Sequence, residues 1–192
     1  IITPVTSAKV LKIKIQDTLK ENTTYVFNFG KSIVDNNEEN AFDYFKYVFS
    51  TGTYIDSLSL KGRVNDLLLP ALEDKATVML YEFSEEFNDS IIYNEKPTYI
   101  ATTKEKDPSF ELTNLKEGTY VLIALLEEPS NYTFQPKKDK IAFYSKPITL
   151  PGDSSVVLNL FKEVPDYQLT RASHITKNKI AFGYEGIIDS LE

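Results

Sequence analysis

The chain has 192 residues, of which 42% are apolar and 26% are charged, and this balance is typical of a folded globular protein and argues against disorder. The formal net charge is −7 and no basic cluster is longer than Lys137-Lys138, so neither nucleic acid nor an anionic membrane surface is expected as a partner. The chain contains no cysteine, which excludes disulfides and Cys-ligated zinc.

Aromatic and β-branched residues favour strands throughout, and the first strand signals lie in residues 10–51. Residues 10–16 alternate between apolar and polar side chains. Residues 24–30 place Tyr25, Phe27 and Phe29 on one face, and residues 44–51 return after a polar turn at 35–40. Three strands are fewer than the about seven of an immunoglobulin-like sandwich, so we expect an incomplete first domain.

Three blocks of this region resemble, in order, the second half of a bacterial Ig-like domain found in S-layer-type proteins and surface lipoproteins. The blocks are Thr-Thr-Tyr-Val-Phe-Asn-Phe-Gly at 23–30, Ile-Val-Asp-Asn-Asn-Glu at 33–38 and Tyr-Val-Phe-Ser-Thr-Gly at 47–52. The resemblance implies that residues 1–53 are a partial bacterial Ig-like domain. It also implies an extracytoplasmic location at the cell surface or outer membrane.

A second set of strand signals begins after residue 53. Residues 58–64 alternate, and residues 76–83 are apolar on both faces. Residues 84–96 read as an exposed connection or a short helix. Residues 97–103 are predicted to form a hairpin with residues 109–113, and the final strands are predicted at 120–126, 141–143, 147–150 and 156–161.

The order of these segments resembles the carboxypeptidase-regulatory-like, or prealbumin-like, β-sandwich module. The motifs are Gly-Arg-Val at 62–64, Val-Met-Leu-Tyr at 78–81 and the long stretch at 103–122, where Asp107-Pro108-Ser109 replaces the usual Asp-Gly turn. The resemblance implies such a sandwich over residues 54–164. Strand signals at 167–169 and 179–182 predict that residues 165–192 carry the opening strands of a further β domain, which we expect to pack on residues 1–53 or to pair with another molecule. The predicted fold class is therefore all-β, with tandem β-sandwich modules.

Two corner sequences repeat in the chain, Leu-Lys-Glu-Gly-Thr-Tyr at 115–120 and Leu-Lys-Glu-Asn-Thr-Thr-Tyr at 19–25. In β-sandwiches a tyrosine near the start of a strand hydrogen-bonds back across such a corner. Tyr25 and Tyr120 are therefore predicted to be structural.

Catalytic and metal-binding patterns are weak. His174 is the only histidine, no Gly-x-Ser-x-Gly motif occurs, and 28 acidic residues guarantee chance carboxylate pairs, so no catalytic residue and no cofactor is predicted. The acidic loop at 35–40 lacks the glycine and the final glutamate of a calcium loop. Glu127, Glu128 and Asp139 are weak cation ligands, and a structural loop, with neighbouring lysines as partners, is the favoured interpretation.

Two kinds of binding or modification site remain as hypotheses. Loop aromatics suited to stacking on a sugar or anchoring a peptide are Tyr93, Tyr99, Tyr132, Phe134 and Tyr144. Four Asp-Ser/Thr-aliphatic tripeptides, which begin at residues 17, 56, 89 and 189, resemble the O-glycan acceptor of some bacterial surface proteins. Asp and Ser also favour turns, so chance is the default interpretation of these tripeptides.

The sequence therefore favours a non-enzymatic structural or interaction module of a bacterial surface lipoprotein. The alternatives are a carbohydrate- or peptide-binding sandwich and an accessory domain of a larger hydrolase. The longest apolar run, residues 120–126, is far shorter than the about 20 residues of a transmembrane helix. We interpret the chain as an internal fragment whose lipid anchor lies outside it, and whose partners are other domains of the same polypeptide and a protein or glycan ligand.

Overall fold

The fold is all-β, as the sequence predicts. The structure, a computed structural model, describes residues 4–7, 10–30, 32–35, 38, 40, 42, 45–85, 87–104, 107–127, 131–152, 155–163 and 168–185. Strands contain 49% of these residues and helix only 3%. The chain divides into two compact units, residues 1–57 and residues 58–192, called here the first and second unit.

The first unit contains two antiparallel strand pairs. Strand β1 (Pro4–Ser7) pairs with β2 (Val10–Ile13), and β3 (Thr24–Asn28) pairs with β4 (Lys46–Ser50). The three predicted strands are present as β2, β3 and β4. The predicted count was too low, because β1 is short, begins at a proline and has no clear apolar alternation to reveal it.

Aromatic side chains cover one face of the β3–β4 pair. The Tyr25 and Phe49 rings stack at 5.4 Å, Phe49 contacts Phe27 at 6.0 Å, and Phe27 contacts Phe29 at 6.5 Å between ring centroids. The three phenylalanine rings and the aliphatic side chains Leu11 and Ile13 of β2 line an open apolar groove of about 580 Å³, called here the aromatic groove. Among the described side chains of this unit, only Thr24 is buried.

The second unit is built from eight strands and one short helix before residue 163. They are β5 (Leu58–Asp66), β6 (Thr77–Glu82), α1 (Ile91–Asn94), β7 (Tyr99–Thr102), β8 (Ser109–Leu115), β9 (Gly118–Leu126), β10 (Lys140–Phe143), β11 (Ile148–Leu150) and β12 (Ser155–Lys162). Residues 77–81 of β6 are buried throughout, which confirms the prediction of a strand that is apolar on both faces.

The strands hydrogen-bond in the order β7-β6-β9-β10-β12-β5-β8, and β11 pairs with β9. All pairs are antiparallel except β12 with β5, which run parallel in the register Ser155↔Lys61. The predicted hairpin between residues 97–103 and 109–113 was wrong, since β7 pairs with β6 and β8 pairs with β5. The chain crosses between the two at a tight turn in which the Lys104 N–H donates to the Ser109 carbonyl.

Two apolar clusters lie on the two faces of the β6-β9-β10 sheet. The main core contains 18 buried residues, among them Leu60, Leu122 and Leu158. The outer cluster contains Met79, Tyr81, Ile123, Leu125, Phe134 and Ile141, with partly buried side chains from α1 and its flanks packed against it. The second unit therefore covers both faces of its most buried strands.

Gly62 allows one close approach in the main core. A Cβ atom at this position would clash with the Val156 carbonyl oxygen and would lie 2.6 Å from the Phe110 ring. The absence of a side chain in the middle of β5 therefore lets the parallel partner strand and the Phe110 ring approach the backbone.

The last described segment is a stretch of short antiparallel pairs. Strand β13 (Gln168–Leu169) pairs with β16 (Tyr184–Glu185), and β14 (Ser173–Thr176) pairs with β15 (Lys179–Ala181). Strands near 167–169 and 179–182 agree with the sequence, whereas β14 and β16 are additional. The predicted packing of residues 165–192 on residues 1–53 stays a prediction.

Candidate functional site

One concave polar feature of the second unit is a pocket of about 510 Å³, called here the mixed-charge pocket. It lies where β5 ends and is lined by residues 63–66 and 69–75, together with Lys104, Asp107 and Pro108. Its charged side chains are of both signs: Arg63, Lys75 and Lys104, with Asp66, Glu73, Asp74 and Asp107. A pocket with such balanced charge has no strong preference for an anion or a cation.

The strongest electrostatic contact beside this pocket is the ion pair between Asp66 and Lys140. Lys140 Nζ donates to Asp66 Oδ2 at 2.7 Å, and the Asp66 side chain is only 1% exposed. The other carboxylate oxygen accepts the N–H groups of Leu68 and Leu69 at 2.8 and 3.2 Å. Burial by itself would raise the pKa of Asp66, but the hydrogen bond and charge of Lys140 lower it below its usual value.

Asp107 also has a structural role. Its carboxylate accepts the Ser109 N–H at 3.0 Å and the Ser109 hydroxyl at 2.7 Å, and these hydrogen bonds lower the pKa of Asp107. This Asx-type arrangement closes the Asp107-Pro108-Ser109 turn. Both carboxylates with a lowered pKa are therefore hydrogen-bonded within the fold and are not poised as a general acid.

The five candidate stacking aromatics do not form one platform. Phe134 is 6% exposed and belongs to the outer cluster, Tyr132 packs against the same cluster, and Tyr93 is 44% exposed with its ring 5.8 Å from Phe134. Tyr144 and Tyr99 instead pack against the main core. Only Tyr93 among the five presents a largely accessible ring, because the hydrophobic clusters bury most of the others.

Tyr99 takes part in the corner at residues 115–120. The Lys116 N–H donates to Tyr99 Oη at 3.2 Å, and Tyr120 Oη donates to the Lys116 carbonyl at 2.9 Å. The two rings meet edge to face at 5.8 Å. In the corner at residues 19–25, the Lys20 N–H donates to Tyr25 Oη at 2.8 Å. Each predicted corner tyrosine thus hydrogen-bonds to the backbone four or five residues before it.

Tyr81 is a buried titratable group that no sequence pattern singled out. Its side chain lies in the outer cluster, and its hydroxyl donates to the sulfur of Met79 at 3.8 Å. Burial, followed by the negative charges of Glu127 and Glu95, raises the pKa of Tyr81 to about 12. The Tyr81 phenol therefore stays protonated at neutral pH, and its burial in the outer cluster gives it a packing role.

Two of the weak cation ligands accept hydrogen bonds within their own loops. Glu127 Oε2 accepts the N–H groups of Asn131 and Tyr132, and Asp139 Oδ2 accepts the Gln135 N–H at 2.7 Å. Burial raises the pKa of Asp139, which disfavours the charged form that a cation needs. Glu128 lies outside the described residues, and within those residues no group of three or more acidic or histidine side chains is placed to hold a metal.

Two further sequence candidates have little support from their surroundings. His174 lies in β14 and is exposed, directly opposite Ile180. In the acidic loop, the Asp35 carboxylate accepts the Glu38 N–H at 2.7 Å, while residues 36, 37 and 39 lie outside the described part of the chain. The Asp35 contact is that of a turn.

No helix within the described residues has the length and hydrophobicity of a membrane span.

The comparison with family models supports the resemblance of the first unit to a bacterial Ig-like domain. A family model described as a bacterial Ig-like domain matches residues 2–51, about a quarter of the chain, which confirms the Ig-like interpretation of that region. Domains of this family occur in bacterial surface proteins and are typically non-catalytic. The searches of curated proteins and of solved structures returned no match.

Proposed function

We propose that this chain is a non-enzymatic structural or interaction segment of a bacterial cell-surface lipoprotein. In this proposal residues 54–164 are a prealbumin-like module, and a lipid anchor outside residues 1–192 holds the protein at the surface. The observation that carries the proposal is the bacterial Ig-like match at residues 2–51, followed along the chain by an all-β unit with its own complete core.

The chemistry of the second unit supports a structural role. The acidic groups with a shifted pKa, which are Asp66, Asp107 and Asp139, each bind a backbone N–H group or a neighbouring side chain within the fold. Asp66 and Asp107 also line the mixed-charge pocket, but these hydrogen bonds engage their carboxylates as structural acceptors.

A binding module is the second candidate, and one observation favours it. Tyr93 stands 44% exposed beside Phe134, and an accessible ring of this kind could stack on a sugar or a peptide side chain. The binding function would place its ligand at the loops that carry α1 and residues 131–139.

The test uses the full-length protein in the bacterium that produces it. Protease treatment of intact cells should digest the protein, and labelling with a fatty-acid analogue should mark it. Protection from protease in intact cells, or complete absence of lipid label, would overturn the surface-lipoprotein proposal.

A second arm separates a structural segment from a binding module. Residues 58–163 are replaced by an unrelated β-sandwich of similar size, with Tyr93→Ala as the matched point variant. A structural segment should tolerate the exchange, and cells should present the distal part of the protein as before. Loss of adhesion to a glycan or protein array in both variants would establish the binding module instead.

A further inference from the structure

One tripeptide recurs more often than composition explains. Five of the twelve aspartates precede Ser or Thr, and in four of these cases Leu or Ile follows. Because 31 of the 192 residues are Ser or Thr and 35 are Leu or Ile, random order would produce less than one such tripeptide. The four copies are Asp17-Thr18-Leu19, Asp56-Ser57-Leu58, Asp89-Ser90-Ile91 and Asp189-Ser190-Leu191.

The structure describes three of these copies, and their hydroxyl residues share one setting. Thr18 lies in the connection between β2 and β3, Ser57 immediately precedes β5, and Ser90 immediately precedes α1. All three residues are exposed and lie outside regular strands or helices. A modifying enzyme must bind its acceptor in an accessible and locally irregular segment, and each copy meets that requirement.

The aliphatic residue of each of the three described copies is turned toward the protein. Leu19 is half-buried, Leu58 packs against the main core and Ile91 packs against the outer cluster. The tripeptide is thus anchored at its third residue and presents its second residue to solvent.

The three hydroxyls contribute little to the fold. Those of Thr18 and Ser57 have no hydrogen-bond partner among the described residues, and Ser90 Oγ donates to Asn88 Oδ1 within its own loop. Thr24 offers a contrast, because its hydroxyl is part-buried and donates to Asp56 Oδ2 at 2.7 Å. A bulky group on Thr18, Ser57 or Ser90 would therefore displace no core contact.

We infer that the exposed hydroxyls of Thr18, Ser57 and Ser90 are acceptors for O-linked glycan, each presented between an aspartate and an anchored aliphatic residue. A transferase would join the hydroxyl oxygen to the anomeric carbon of a sugar diphosphate donor. The bond from that carbon to the phosphate oxygen breaks, the diphosphate leaves with the electron pair, and the hydroxyl proton passes to a base of the transferase. Ser190 carries the same pattern outside the described residues. The inference rests on the surface location proposed above.

The experiment measures the intact mass of the full-length protein from the envelope of the native bacterium, with protein made in the cytoplasm of an unrelated host as reference. The native protein should carry a series of mass increments. The combined variant Thr18→Ala, Ser57→Ala and Ser90→Ala should lose every increment except that of Ser190, and peptide mapping should place them at the substituted residues.

Two variants test the role of the tripeptide itself. Asp17→Asn and Asp89→Asn keep the hydroxyls and should abolish the increments at Thr18 and Ser90. Asp56 is left unchanged because its backbone and carboxylate bond to Thr24. Thr53→Ala, an exposed loop threonine that follows Gly52, is the matched control and should change only the mass of the polypeptide itself.

The outcomes described next would overturn the inference. An unmodified mass in the envelope fraction refutes glycosylation while the proposed location stands, and an unmodified protein found in the cytoplasm refutes both. Increments that survive the Asp→Asn changes, or that disappear with Thr53→Ala, show that the tripeptide is not the acceptor.

Discussion

The two units solve the burial of aromatic and aliphatic side chains in different ways. In the second unit, strands β6 and β9 have apolar clusters on both faces, and side chains such as Leu80 and Leu122 are fully buried. In the first unit, the rings of β3 and β4 contact one another along the strands, yet Phe45 and Tyr47 remain exposed beside the aromatic groove. Isolated two-stranded pairs are marginally stable, so stability should be concentrated in the second unit.

The largest expected effect tests this contrast directly. Leu122→Ala leaves a cavity in the main core and should lower the free energy of unfolding of the second unit by about 3 kcal/mol. Phe27→Ala, the matched change in the first unit, removes a half-buried ring and should cost about 1 kcal/mol. Urea unfolding followed by circular dichroism measures both. Equal losses for the two variants would show that the aromatic groove is as well packed as the core.

A change of intermediate size concerns the buried ion pair of the second unit. Asp66→Asn leaves the Lys140 ammonium without its nearest carboxylate and should destabilise the unit by about 2 kcal/mol. The control is Glu111→Gln, which breaks the exposed Lys61–Glu111 pair at 3.3 Å and should cost less than about 0.5 kcal/mol. Similar losses of unfolding free energy in the two variants would show that burial does not strengthen the Asp66–Lys140 pair.

The same pair predicts a pH window for stability. The pKa of Asp66 is lowered, so its contribution is complete above the unfolded value and is lost as the pH falls through the folded one. The hydrogen bond with Asp66 raises the pKa of Lys140, so that contribution is complete below the unfolded value and is lost as the pH rises through the folded one. The unfolding free energy of wild type minus that of Asp66→Asn, measured across pH, should form a plateau between these two limits. If this free-energy difference stayed constant as the pH fell through the pKa of Asp66, the ion pair would not contribute as predicted.

The smallest expected effects compare the two corners. Tyr120→Phe removes a hydrogen bond from a buried tyrosine and should lower the unfolding free energy by about 1 kcal/mol. Tyr25 is less buried, and water can replace its oxygen as the acceptor of the Lys20 N–H, so Tyr25→Phe should cost about 0.5 kcal/mol. Thermal melts of both variants provide the comparison. An unchanged melt for Tyr120→Phe would remove the corner interpretation of residues 115–120.

Much of the site could not be predicted from the sequence because its contacts join distant segments. Asp66 ends β5 and Lys140 begins β10, 74 residues later, and no local sequence pattern relates them. The loop aromatics were identified as exposed candidates, yet Phe134 and Tyr99 are recruited into packing. Aromatic rings favour burial wherever a sheet face is available, and the sequence does not say which face that is.

The sequence by itself determined the all-β class, most strand positions and the two corners, because these depend on side-chain alternation and on hydrogen bonds between residues four or five positions apart. Only the tertiary structure decided which strand edges meet. It joined β12 to β5 in parallel and separated β7 from β8, although the turn between them suggested a hairpin. Strand pairing depends on which distant edges can be covered together, and the local periodicity of a strand is the same for every partner.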